Sequence, residues 1–109
     1  MEAKHRKRKT YKTEDGGEPF LDWMRSIRGI QGAIGKVLVR LKRAEEGNFG
    51  DHEPAREGVI ELKIGGHGPG LRVYIGIDGD EIILLWGGTK KAQDDDIRTA
   101  IGFWRDYNA

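Results

Sequence analysis

The chain has 109 residues, 37% of them hydrophobic and 34% charged, with a formal net charge of +1. That length suits a single domain, 1–109, with one modest core, and excludes two. Cysteine is absent, which excludes disulfides, thiolate zinc sites and cysteine nucleophiles. No apolar run approaches the roughly 18 residues of a membrane span, and KHRKRK near the start is followed by no apolar stretch, unlike a secretory signal. The expectation is a cytoplasmic protein that uses no membrane.

Residues 1–12 are basic: Lys4, Arg6, Lys7, Arg8, Lys9 and Lys12 face one acid, Glu2. Within them, 6–12 reads as a first strand with poor alternation. Asp15, Gly16 and Gly17 are turn residues. Glu18-Pro19 opens a helix, with proline where its missing N–H is harmless. Phe20, Trp23, Met24 and Ile27 follow at i, i+3, i+4 and i+7, and Gly29 stops it. A second helix is predicted over 30–46. Ile30, Ile34, Val37, Leu38 and Leu41 line one side; Lys36, Arg40, Lys42 and Arg43 supply the other. Between Arg25 and Arg43 there is no acid. Gly32 and Gly35 weaken this helix by about 1 kcal/mol each relative to alanine. The short break predicts a helix hairpin. Basic clusters of this kind suit RNA or an acidic protein partner, although a solvated tail and helix face account for them as well.

Residues 47–57 (GNFGDHEPARE) read as a loop. Period two then takes over. In 58–64, Ile60, Leu62 and Ile64 face one way; in 71–77, Leu71, Val73, Ile75 and Ile77 do. The run 81–86 (EIILLW) reads as a central strand. The linkers GGHGPG (65–70) and DGD (78–80) are short, so antiparallel hairpins are predicted. A last helix starts near Gln93, with Asp94, Asp95 and Asp96 in the turn where the helix dipole favours anions. Ile97, Ala100, Ile101 and Trp104 form its stripe. The class is α+β: two helices, a meander and a terminal helix.

The helices and apolar strand faces close one core on this reading. The opposite face of the first two strands then presents Glu61, Lys63, Arg72 and Tyr74 to solvent. Lys90 and Lys91 follow the third strand. Arginine grips a phosphate through a planar fork, lysine holds it as a point charge or moves protons, and tyrosine stacks a base. A half-exposed sheet with ion pairs such as Glu61 with Arg72 or Lys63 is the structural alternative, and a common one. Other motifs fail. GGHGPG lacks the helix and the lysine-serine pair of a phosphate loop, and GIQGAIGK lacks that spacing. His5, His52 and His67 are too scattered for a metal site. His52 and His67 read as loop residues, and Trp23, Trp86 and Trp104 as core.

The ordered set EPFLDWM (18–24), GNFGD (47–51), GVIELKI (58–64), GPGLRVYIG (68–76), IILLWGGTKKAQDDDI (82–97) and WRDY (104–107) resembles the HigB-like, phage-derived addiction module killer proteins of the RelE/ParE toxin superfamily. The likeness spans about nine-tenths of the chain. It implies two N-terminal helices against an antiparallel sheet with a C-terminal helix, and a toxin held inactive by a cognate antitoxin. RelE-type members enter the ribosome and cut mRNA, the 2′-hydroxyl attacking the adjacent phosphate. Carried over, Lys63 abstracts the proton, Arg72 holds the scissile phosphate and Lys91 assists the leaving oxygen. Lys90, Tyr74 and Glu61 would bind substrate, and no metal or other cofactor is needed. RelE proper has a tyrosine a few residues past the last base, where this chain reads AQDDDI. The resemblance leaves other functions open: a ParE-like poison of DNA gyrase, or a non-catalytic antitoxin- or RNA-binding module.

Overall fold

A computed structural model describes residues 4–65 and 70–109. Five strands form one mixed sheet in the order β1-β5-β4-β3-β2. They are β1 (Lys7–Thr10), β2 (His52–Pro54), β3 (Ile60–Ile64), β4 (Leu71–Asp78) and β5 (Glu81–Thr89). Three helices accompany them: α1 (Pro19–Ser26), α2 (Ala33–Glu45) and α3 (Gln93–Asn108), the last preceded by a 3-10 turn at Lys90–Ala92. The class is α+β, as expected. Among the described residues no helix is long and apolar enough to cross a membrane. His67 and the centre of the GGHGPG linker lie outside the described residues.

β3, β4 and β5 form the expected antiparallel meander, Asp78 pairing with Glu81 around Gly79, whose φ is +57°. β1 runs parallel to β5, made possible by the long connection through both helices. It is an edge strand with an exposed, basic surface, which is why its alternation is poor. Three of its neighbourhood's cations pair with carboxylates: Lys4 with Asp80, Arg8 with Glu45 and Lys9 with Glu81. The basic segment is therefore partly neutralised by the chain itself.

Besides shifts of one or two residues at β1, β3, β4 and the end of α2, two boundaries and one element differ from the sequence reading. α2 starts at Ala33 rather than 30, because Gly32 adopts the left-handed conformation with φ +77°. β5 runs three residues further, through Gly87 and Gly88 to Thr89. The second edge strand, β2, falls inside the stretch read as a loop; Pro54 is tolerated there because an edge strand has one unpaired side.

The larger correction concerns the core. It is two cores, one on each side of the sheet. On the first face α1 lies against β5 and α2 against β3, sharing that face rather than closing as a tight hairpin. Phe20, Trp23, Val37 and Leu41 meet Leu62, Val73, Ile75 and Leu84 there. Burying each such side chain contributes roughly 1.5–3 kcal/mol. On the second face α3 lays Ala100 and Ile101 over Val59, Tyr74, Ile83 and Leu85. The face expected to meet solvent is thus largely covered. α3 has an apolar stripe to bury, and α1 and α2 already occupy the other side.

Glycines set how closely the helices approach. A Cβ on Gly87 would lie 2.1 Å from the Trp23 ring, and one on Gly88 would lie 1.9 Å from the Asp96 carboxylate. Neighbouring strand residues point to opposite faces. This pair therefore seats α1 on one side and the start of α3 on the other.

Candidate functional site

Two rows of the sheet hold the residues singled out from the sequence. Lys63 on β3 faces Arg72 on β4, and Arg72 faces Gly88 on β5. One row inward, Glu61 faces Tyr74, and Tyr74 faces Trp86. Directly paired residues share a face, so all four named side chains lie on the α3 side. Their fates differ because α3 begins at Gln93 and covers the inner row only.

The inner row is withdrawn from solvent. Glu61 is 2% exposed and accepts two hydrogen bonds from Gln93 Nε2, at 3.0 and 2.9 Å. Tyr74 is fully buried, and its hydroxyl finds no hydrogen-bond partner of acceptable geometry. Burial first, and the nearby Glu61 carboxylate second, push the Tyr74 hydroxyl far above its ordinary pKa. Nearby, Trp86 Nε1 donates to Asp96 Oδ1 at 3.0 Å, and burial raises the Asp96 carboxyl above the usual carboxylate range. Of the two residues expected to bind substrate, Glu61 accepts from Gln93 at the start of α3, and Tyr74 is enclosed in the core beneath that helix.

The outer row forms a corner. Lys63 Nζ meets Glu53 Oε1 of β2 at 2.8 Å. That bond is the main cause raising the Lys63 ammonium above its ordinary pKa. A general base needs the reverse shift, so the expected proton-abstracting role disagrees with the geometry. Lys63 is a fixed positive charge. The partner carboxylate, Glu53, is held below its usual range by the same bond, with a smaller contribution from Arg72.

Arg72 is only 9% exposed, against the expectation of an open sheet face. Its Nη1 donates to the Leu71 carbonyl at 3.2 Å, its Nε is buried without a partner, and among the described residues it has no carboxylate partner. Gly70, with φ +68°, backs this group: a Cβ there would sit 3.6 Å from Arg72 Nη1 and 3.5 Å from Lys90 Cβ. The Lys90 amide also donates to the Gly70 carbonyl at 2.9 Å. The guanidinium and the Lys90 stem therefore both border Gly70. Arg72 thus has Lys63 as its register partner on β3 and shares the surroundings of Gly70 with Lys90. Lys91 lies one residue on, exposed, in a groove of about 400 Å³ shared with Lys90, Gln93, Asp94, Asp95 and Arg98.

Sequence reasoning misses four contributors. Glu53 is hidden because β2 reads as loop. Gln93 and Asp96 read as parts of the α3 start, and nothing in the sequence ties them to the sheet. The fourth, Arg40, reads as one of the solvated bases of α2. Its guanidinium instead donates to the carbonyls of Lys63, Phe49 (2.7 Å) and Asp51 (3.1 Å). Gly50, at φ +62°, gives it room, since a Cβ there would come within 3.0 Å of Arg40. Its position beside Val37, Leu41 and Ala44 on the buried stripe was the available signal. Arg40 fixes the backbone of Lys63 from beneath.

No protein-family model matches the chain, and no solved structure matches it. Among curated proteins, an uncharacterized protein of Haemophilus influenzae (strain ATCC 51907 / DSM 11121 / KW20 / Rd) is 40% identical over 82 residues, covering 74% of this chain and 81% of that protein. The chain belongs to one family with that Haemophilus protein. The shared stretch is long enough to take in most of the elements described above.

Proposed function

We propose that the protein is the toxin of a type II toxin–antitoxin pair of RelE/ParE type, and that its corner acts on ribosome-bound mRNA. The observation that carries the reading is Arg72: a guanidinium without a carboxylate partner among the described residues, flanked by Lys63 and Lys90. An arginine with no carboxylate hydrogen-bonded to it among the described residues, next to lysines, fits a phosphodiester. In the proposed reaction the RNA 2′-oxygen bonds to the adjacent phosphorus as its proton passes to solvent water. The bond from phosphorus to the 5′-oxygen breaks, leaving a 2′,3′-cyclic phosphate and a 5′-hydroxyl. Arg72 holds the phosphate, Lys63 and Lys90 stabilise the charge that builds on its oxygens, and Lys91 gives a proton to the departing oxygen. Arg72→Ala is expected to lower cleavage by about 10²–10³-fold, the range for losing one positioned donor. Because Arg72 is buried, Arg72→Lys serves as a companion variant, with thermal denaturation checking both folds.

One observation favours a second reading. The bond to Glu53 favours the protonated Lys63, and Tyr74 and Glu61 are enclosed, so among the described residues the corner offers no evident base. That suits a ParE-like poison that touches DNA gyrase without cutting RNA. The purified protein, incubated with gyrase and separately with translating ribosomes, separates the two. Cut mRNA with unimpaired supercoiling supports the nuclease; blocked supercoiling with intact mRNA supports the poison.

A further inference from the structure

The two partners of the Lys63–Glu53 bond are held very unequally. The backbone of Lys63 is fixed on both sides: its amide donates to the Asp51 carbonyl at 2.9 Å, and its carbonyl accepts from Arg40. It also pairs in register with Arg72, and its side chain is only 24% exposed. The Glu53 side chain is 62% exposed. It stands on a three-residue edge strand with one unpaired side. Among the described residues its carboxylate has no partner besides Lys63.

Strand register adds a separate observation. Glu53 lies directly across from Glu61. Glu61 is enclosed beneath Gln93 and has no room to turn away. Two carboxylates directly opposed across a strand pair are an unfavourable neighbour set. Glu53 therefore reaches diagonally along β3 to Lys63, at 2.8 Å. Arg72 adds a smaller attraction for the same carboxylate. One exposed acid thus lies in the field of two cations.

We infer that Glu53 competes with phosphate for the Lys63 ammonium, holding the lysine and turning out to solvent when a phosphate oxygen takes its place. A carboxylate and a phosphate present the same kind of acceptor oxygens to lysine and arginine. Exposed ion pairs contribute little, so the exchange needs no rearrangement of the fold. Glu53 is then a repulsive element built into the corner, of the kind that gives selectivity. It turns away loose phosphate and short free RNA, and admits a phosphodiester whose strand is also held elsewhere. This rests on the corner taking a phosphate, as proposed above, and not on its cutting RNA.

The probes are inorganic phosphate and a single-stranded RNA trinucleotide with methylated 2′-hydroxyls, which cannot be cut by 2′-oxygen attack. Binding is read from the Lys63 and Arg72 amides of the isotope-labelled chain. Glu53→Gln keeps the shape of the side chain and removes its charge. It is expected to tighten both ligands by about threefold to tenfold, with little change in melting temperature. It should also steepen the salt dependence of RNA binding by about 0.7 in logarithmic slope, the value for one more phosphate neutralised on a single strand. In a Lys63→Ala background the gain should fall to about twofold or less. Glu57→Gln removes the same charge from the pair with Arg105, near the other end of α3, and should change neither affinity. Binding at the corner that Glu53→Gln does not tighten, an equal gain from Glu57→Gln, or tightening for inorganic phosphate but not for RNA would overturn the competition and leave the corner a phosphate site. No shift of these amides by either ligand in either protein would overturn both.

Discussion

The two faces of the sheet solve different problems. The face under α1 and α2 is aliphatic and aromatic, from Phe20 and Trp23 through Leu62 and Val73. The face under α3 mixes Ile83, Leu85 and Ala100 with buried Glu61, Arg72 and Tyr74. Polar groups cost stability when enclosed and must be paired. The chain gathers Glu61, Arg72 and Tyr74 on the α3 face, where α3 begins short of the outer row. The aliphatic face and the polar face are thereby separated by the thickness of one sheet.

Substitutions test that division. The largest effect is expected on the aliphatic face: Leu62→Ala, at a fully buried position, should cost about 2–5 kcal/mol in denaturant unfolding. Activity per folded molecule should not change. On the mixed face, Gln93→Ala leaves Glu61 enclosed without its donor, and a loss of about 1–3 kcal/mol is expected by the same measurement.

Asp96 sharpens the contrast through pH. Burial raises its carboxyl, so the native state favours the protonated form more than the unfolded chain does. Its share of stability is present at low pH and is lost as pH rises through the raised pKa. Unfolding measured against Asp96→Asn across the acidic range should show wild type losing ground as pH increases. A parallel pair of profiles would contradict that account of the α3 anchor. The smallest effect is expected for Tyr74→Phe, since the hydroxyl it removes makes no hydrogen bond of acceptable geometry: a change within about 0.5 kcal/mol, and full activity if Tyr74 is only a wall of the core.

Much of the first face was legible in the sequence. Phe20, Trp23 and Ile27 on α1, Val37 and Leu41 on α2, and Leu62, Val73 and Ile75 on the strands all fell on apolar periods and are buried. The second face was not legible, for a physical reason. Tyr74 and Gly76 sit opposite the aliphatic positions of β4 and so read as the outer side of a one-sided sheet. Yet Gly76 is where Trp104 of α3 rests, at 2.4 Å from a Cβ position. A tyrosine and a glycine give the same local signal whether they meet water or a helix. The cation corner was half legible. The pairing of Lys63 with Arg72 follows from hairpin register, whereas the placement of Lys90 beside Gly70 depends on the path of the chain after β5. Glu53, which fixes the charge of Lys63, comes from an edge strand too short to show a period.

The proposed chemistry is tested most directly by the ends of the RNA it leaves. Translating ribosomes treated with purified wild-type protein, Arg72→Lys or Arg72→Ala can be assayed for mRNA fragments bearing 2′,3′-cyclic phosphates. The expected result is such ends with wild type, few with Arg72→Lys and almost none with Arg72→Ala, all three being folded. Uncut mRNA with the wild-type protein, or equal cutting by Arg72→Ala, would contradict the role given to the corner.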